Sequence, residues 1–144
     1  MHGSGGSTRP YQNFMEEIPL TDRPRVLVAD DEAAIRTLLG HMLRRAGYEA
    51  VPVADGQEAI ERLGESRFDA LLLDLMMPRV DGFGVVEYLI ETCPEMIEKT
   101  IVMTAFPKAA ARERLHHLCH IVSKPFDAEE LIGFVRSCVK TVRP

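Results

Sequence analysis

The sequence predicts an α/β protein, a doubly wound and mostly parallel sheet of five strands with five helices. Three observations predict it. Short continuous apolar runs alternate with longer segments whose apolar residues recur at helical spacing, the pattern that builds a parallel sheet from strand–helix–strand units. The runs show no period of two, so both faces of the sheet must be covered by helices. The polar residues that interrupt this frame, Asp30, Asp31, Asp74, Thr104 and Lys124, all stand at the carboxyl ends of the runs.

The first run, RVLVA, starts at Arg25. Ile35, Leu38, Leu39, Met42, Leu43 and Ala46 then lie on one face of a helix, which Gly47 ends as a left-handed cap. YEAVPV is a strand interrupted by Pro52, which places it near an edge. DGQEAIERLG opens with a capping box, Asp55 and Glu58, and closes on Gly64. DALLLD is a buried strand, and DGFGVVEYLIETC is a helix with Val86, Leu89, Ile90 and Cys93 on one face. TIVMT is the fourth strand. Pro107 suits the first position of a helix reaching about Leu118. HIVS is the fifth strand, and a second capping box, Asp127 and Glu130, opens the last helix.

The 144 residues suit one domain. A hydrophobic fraction of 46% and a charged fraction of 27% describe an ordinary globular chain. No apolar run reaches the roughly 18 residues of a membrane span, and the N-terminus lacks the apolar region of a secretory signal. A net charge of -5 argues against direct nucleic-acid binding. Cys93, Cys119 and Cys138 fit no zinc or redox spacing, so they read as reduced, packed thiols in a cytoplasmic protein. Residues 1–23 begin MHGSGGS and read as a flexible tag or linker segment. Phe14, Met15, Ile18 and Leu20 lie within it, without clear periodicity. The folded domain is expected over residues 24–144.

In a parallel sheet the carboxyl ends share one edge, and neighbouring strands lie about 4.8 Å apart. If the first and third strands are neighbours, Asp30, Asp31 and Asp74 converge within a few ångströms. Three such carboxylates repel, so one protonates or a cation joins them. Oxygen ligands on a partly solvated rim favour Mg²⁺. The plainer alternative is an acidic loop in which Asp31 caps the following helix. Capping accounts for one acid but not for Asp74, Thr104 and Lys124 at matching ends.

VADDE, LLLDLMMPRVDGF, VMTA and SKPF, in this order, resemble the signature of a response-regulator receiver domain of two-component signalling. The resemblance spans about Pro24 to Val142. It implies a flavodoxin-like sheet of order 2-1-3-4-5. It also implies a phosphorylation-dependent switch that takes a phosphoryl group from a histidine kinase or histidine phosphotransfer protein, rather than an enzyme acting on other molecules. By position, Asp74 is then the phospho-acceptor. Asp30, Asp31 and the backbone carbonyl of Met76 join Asp74 around Mg²⁺. Thr104 is the switch hydroxyl, and Lys124 pairs with the phosphoryl group ahead of a cis bond to Pro125. Met76 and Phe106 flank the path of the hydrolytic water. The surface of helix 4, strand 5 and helix 5 is the expected partner or dimer surface.

The chain departs from the family pattern after Thr104. Ile121 stands where an aromatic switch residue is usual, no Gly-Ala precedes strand 5, and the Thr104–Lys124 segment is short. Pro78, Asp81 and Gly82 are expected to shape the loop. His116, His117 and His120 read as a surface cluster, and Lys108, Arg112 and Arg114 as a solvated helix face. The chain ends at Pro144, just past the last helix, which fits a stand-alone receiver or part of a larger regulator or hybrid kinase. The other functions weighed are a receiver-like binding module that is not phosphorylated, a haloacid-dehalogenase-type phosphohydrolase and a flavin carrier. The hydrolase needs an acid where Met76 stands, and the flavin carrier needs a Ser/Thr/Gly-rich phosphate loop after strand 1.

Overall fold

The computed structural model describes residues 22–105, 107–115 and 120–139. Strands β1 (Arg25–Ala29), β2 (Glu49–Val53), β3 (Ala70–Asp74), β4 (Thr100–Thr104) and β5 (His120–Ser123) alternate with helices α1 (Ala33–Arg45), α2 (Gly56–Glu65), α3 (Gly82–Thr92), α4 (Lys108–Leu115) and α5 (Ala128–Val139). All pairings are parallel, in the order β2-β1-β3-β4-β5. This is the flavodoxin-like order that the resemblance implied. Among the described residues no helix is long and apolar enough to cross a membrane.

The apolar runs serve both faces of the sheet. Leu27, Ala29, Leu71 and Leu73 point into the core beneath α2, α3 and α4, with Ala59, Val86, Leu89 and Leu115. Their neighbours Val26, Val28, Ala70 and Leu72 point the other way, into the core with Leu39, Leu43, Leu131 and Val135 of α1 and α5. Each fully buried leucine contributes about 2 kcal/mol relative to an exposed one. A single strand residue of the wrong polarity would therefore cost one core or the other, whichever way it pointed.

Local signals hold at several junctions. Gly47 has φ 97°, the left-handed cap after α1. Pro52 is exposed on the edge strand β2. Asp55 accepts from the Glu58 N–H at 2.8 Å, and the Glu58 carboxylate reaches back to the Ala54 N–H at 3.0 Å, one residue earlier than an ideal box. Asp127 accepts from the N–H groups of Glu129 and Glu130.

Elsewhere the structure corrects the reading. Leu38 and Ile90 are half exposed, because each helix's apolar stripe is wider than the surface it covers. In α3 the inward face is set by Phe83, Val85, Val86 and Leu89, one step round from the expected stripe. Pro107 precedes α4, its carbonyl accepting from Ala111. A 3₁₀ segment, Pro94–Lys99, fills the passage into β4 and has no apolar period to announce it. The expectations for residues 1–21, for His116, His117 and Cys119, and for Phe106 lie outside the described residues.

Candidate functional site

Strand register builds the site. Ala29 of β1 faces Leu73 of β3, so the next step along both strands brings Asp30 beside Asp74. The two residues are buried, while Asp31 points to solvent. One carboxylate oxygen from each of the three lies within 4.8 Å of the others.

Asp30 turns the chain out of the sheet. Its N–H donates to the Val53 carbonyl at 3.2 Å, and its Oδ1 accepts from the Glu32 N–H at 2.9 Å. Glu32 is the residue preceding α1, and no side chain caps this helix. The alternative in which Asp31 serves as the cap is thereby ruled out, leaving its carboxylate exposed beside the other two. Arg36, one turn into α1, donates to the Asp30 carbonyl at 2.8 Å.

Lys124 follows β5, where its N–H donates to the Thr104 carbonyl at 2.8 Å and ties the ends of β4 and β5 together. Its Nζ lies 2.8 Å from Asp30 Oδ2, 3.5 Å from Asp74 Oδ2 and 3.5 Å from Glu32 Oε1. The Lys124–Pro125 bond is cis, as expected. Thr104, the last residue of β4, is buried at the same edge. The structure thus brings Asp30, Asp31, Asp74, Thr104 and Lys124 to one end of the sheet.

Burial pushes the Asp74 carboxyl above its ordinary range; Lys124 and the Met76 N–H pull it down, and Asp30 adds to the rise. Burial acts to lower Lys124, but its hydrogen bond to Asp30 and the charges of Asp74, Asp30 and Glu32 prevail and raise it. The two directions are compatible. One ammonium is shared among three acids, so each acid gains only part of its charge.

A hard divalent cation suits this donor set. It consists of carboxylate oxygens with no thiolate or imidazole, the chemistry that Mg²⁺ prefers.

The loop after Asp74 is held closely. The Met76 N–H donates to Asp74 Oδ1 at 3.2 Å, and the Gly82 N–H to the Leu75 carbonyl at 2.9 Å. A Cβ on Gly82 would stand 2.6 Å from the Asp74 carbonyl oxygen, so only glycine fits there. Asp81 caps α3 through the Gly84 N–H. Met77 is buried, but Met76 is 55% exposed. Ile121 is buried with Val102, Ala111 and Leu115. His120 opens β5, and Arg114 is not merely solvated: its guanidinium lies 3.6 Å from the Phe83 ring centroid. Sequence reading missed Glu32, Arg36 and the Arg79–Asp55 pair. Nothing in their spacing marks them, because each acts through a contact that only the fold creates.

Comparison with known proteins gives the family. The chain matches the family model described as response regulator receiver domain over residues 26–136. It is 38% identical over 123 residues to the transcriptional regulatory protein PdtaR of Mycobacterium tuberculosis, covering 83% of this chain and 58% of that protein. It is 34% identical over 131 residues to a probable transcriptional regulator, ycf27, of Guillardia theta, covering 90% of this chain and 50% of that protein. The chain therefore spans roughly half of these relatives' length. Among solved structures it resembles the receiver domain of a sensor histidine kinase from Pseudomonas aeruginosa, described with a magnesium ion coordinated in the active-site cleft. That likeness has a TM-score of 0.72 at 26% identity, covering 82% of this chain and 98% of that one. It also resembles the response regulator TrrA of Thermotoga maritima, solved with Mg²⁺ and BeF, with a TM-score of 0.72 at 30% identity and coverage of 80% and 98%. With its sheet order, its acidic cluster and a family match over most of its length, the chain belongs to the response regulator receiver domains of two-component signalling.

Proposed function

We propose that Asp74 is the phospho-acceptor of this receiver and that Asp30, Asp31, Asp74 and the Met76 carbonyl hold Mg²⁺. The observation that carries this reading is the convergence of three carboxylates and one shared ammonium at the carboxyl edge of a parallel sheet. A carboxylate attacks phosphorus readily once charge on the transferring group is neutralised. The bound cation would supply that neutralisation. Lys124, already 3.5 Å from Asp74, supplies the chain's own share of it. Thr104, buried at the same edge, would bond a phosphoryl oxygen through its hydroxyl.

The domain acts within residues 24–144 and is phosphorylated by a histidine kinase or a histidine phosphotransfer protein. It makes no direct contact with nucleic acid, in keeping with its net charge of -5. Cys93 and Cys138, which form no disulfide among the described residues, suit a reducing cytoplasm. The surface of α4, β5 and α5 is the proposed partner or dimer surface. Incubation with acetyl phosphate and Mg²⁺, followed by intact mass, tests the reading. One phosphoryl adduct that Asp74→Asn abolishes is expected; no adduct, or one that persists in that variant, overturns it.

A further inference from the structure

We infer that Arg79 is a positioning residue: by gripping Asp55 across the gap between two loops, it holds the loop after Asp74 in the conformation that keeps the Met76 backbone on the Asp74 carboxylate. The inference deepens the proposed function and rests on its placing of Asp74 and Met76 in the site.

Arg79 has φ 67°, the only positive φ at a non-glycine among the described residues. Side chains other than glycine are sterically strained in this conformation, so something must hold it. The guanidinium supplies two parallel bonds to Asp55, from Nε to Oδ2 at 3.0 Å and from Nη2 to Oδ1 at 3.1 Å. The fork geometry fixes direction as well as distance. Asp55 is itself anchored, since its Oδ1 caps α2 through the Glu58 N–H. Beside the pair, Gly56 lies so close to Val80 that a Cβ there would stand 1.8 Å from the Val80 carbonyl oxygen. The β3–α3 loop is thus pressed onto the start of α2 at two consecutive residues, Arg79 and Val80.

Three residues upstream, the Met76 N–H reaches Asp74 Oδ1 at 3.2 Å, a long bond that a small loop shift would break. The Arg79 side chain is 61% exposed. A pair so open adds little to global stability, and its effect is expected in local order.

The test uses the full chain with Arg79→Gln, Asp55→Asn and both together; asparagine retains a capping oxygen for α2. In metal-free protein, amide hydrogen exchange at Met76 is expected to quicken about tenfold in each single variant, while the urea midpoint barely moves. The double variant is expected to exchange no faster than either single one, because the pair acts as a unit. Arg79→Lys, which keeps the charge without the fork, should fall between. Mg²⁺ affinity, followed by amide shifts, should weaken about five- to tenfold in the single variants. Unchanged Met76 exchange in Arg79→Gln, or additive effects in the double variant, overturns the inference. If no form binds Mg²⁺ yet the exchange pattern holds, the metal reading fails and the grip stands. If all forms bind Mg²⁺ alike and exchange is unchanged, the grip fails and the metal reading stands.

Discussion

Lys124 Nζ sits 2.8 Å from Asp30 Oδ2, closer than to Asp74, the other buried acid. In the metal-free site the ammonium thus stands where cation charge is most needed, against a carboxylate with no exposed surface. Removing it strands two buried carboxylates. Lys124→Met is expected to destabilise the metal-free chain by about 2–3 kcal/mol, at or below the lower end of the range for broken buried pairs because the site opens to solvent on one side. Saturating Mg²⁺ should recover part of that loss, since the added charge serves the same acids. Urea unfolding with and without Mg²⁺ checks both halves.

Asp74→Asn is expected to stabilise the metal-free protein at neutral pH. Burial, opposed by Lys124 and the Met76 N–H, leaves the Asp74 carboxyl raised in the folded state. Between its unfolded and folded values the native state binds more protons than the unfolded one, so stability falls as pH rises through that window. The wild type therefore loses stability relative to Asp74→Asn on passing upward from about pH 4, where unfolded aspartate titrates. Melting temperatures of the two proteins should converge as pH is lowered toward that value and separate above it. For Lys124, burial opposes ionisation but its acidic neighbours raise the folded value. Its contribution is full below the unfolded value and is lost as pH rises through the folded one, so the penalty of Lys124→Met should shrink only in strong alkali.

One substitution should have opposite signs at two glycines. A Cβ at Gly82 would press on the Asp74 carbonyl oxygen at 2.6 Å and Leu75 Cα at 2.7 Å, both backbone atoms that cannot swing aside. Gly82→Ala is expected to cost about 2–3 kcal/mol and to weaken Mg²⁺ binding by displacing Asp74. Gly133, within α5, has nothing within 4 Å of its would-be Cβ, and Gly133→Ala should stabilise by about 0.5–1 kcal/mol. Thermal melts of both variants decide.

The sequence made the sheet edge readable because strand ends are marked twice, by a stop in the apolar run and by the polar residue that follows. Asp30, Asp74, Thr104 and Lys124 carry both marks, and register alone brings them together. Leu38 and Ile90 misled because periodicity gives the width of a helix's apolar stripe but not how much of it a neighbour covers. The Arg79–Asp55 pair was illegible for a different reason. It links residues 24 apart through a backbone conformation that arginine seldom adopts, and no local pattern encodes that.

Ile121 is already 6% exposed, packed with Val102, Ala111 and Leu115. A rotamer change there has little further surface to bury, whichever way it turns. A conformational shift needs differential contacts in its two states, so the response of α4 and β5 to phosphorylation should be small. Amide shifts of the free protein and its beryllofluoride complex provide the comparison. Large changes near Asp74 with modest ones across β5 are expected, and a wholesale rearrangement centred on Ile121 would contradict this.

The aspartyl phosphate is expected to be long-lived. Its hydrolysis needs a water in line with the bond from Asp74 to phosphorus, and placing that water is much of the catalysis. The side chain two residues after the proposed acceptor, Asp74, is Met76, which is 55% exposed while Asp74 itself is buried. A thioether is at best a weak acceptor and donates no hydrogen bond, so Met76 neither holds a water in line nor activates one. Met76→Asn adds a donor and an acceptor at an exposed position, where the substitution leaves the cores intact. Decay of the phosphorylated protein in Mg²⁺ after removal of the donor should therefore quicken in Met76→Asn, by less than about tenfold because one hydrogen bond to water is all that is gained. Phe106→Glu extends the test to the residue two after Thr104. If the wild type already decays quickly and neither substitution hastens it, water reaches the phosphoryl group without help, and these two apolar side chains do not set the lifetime.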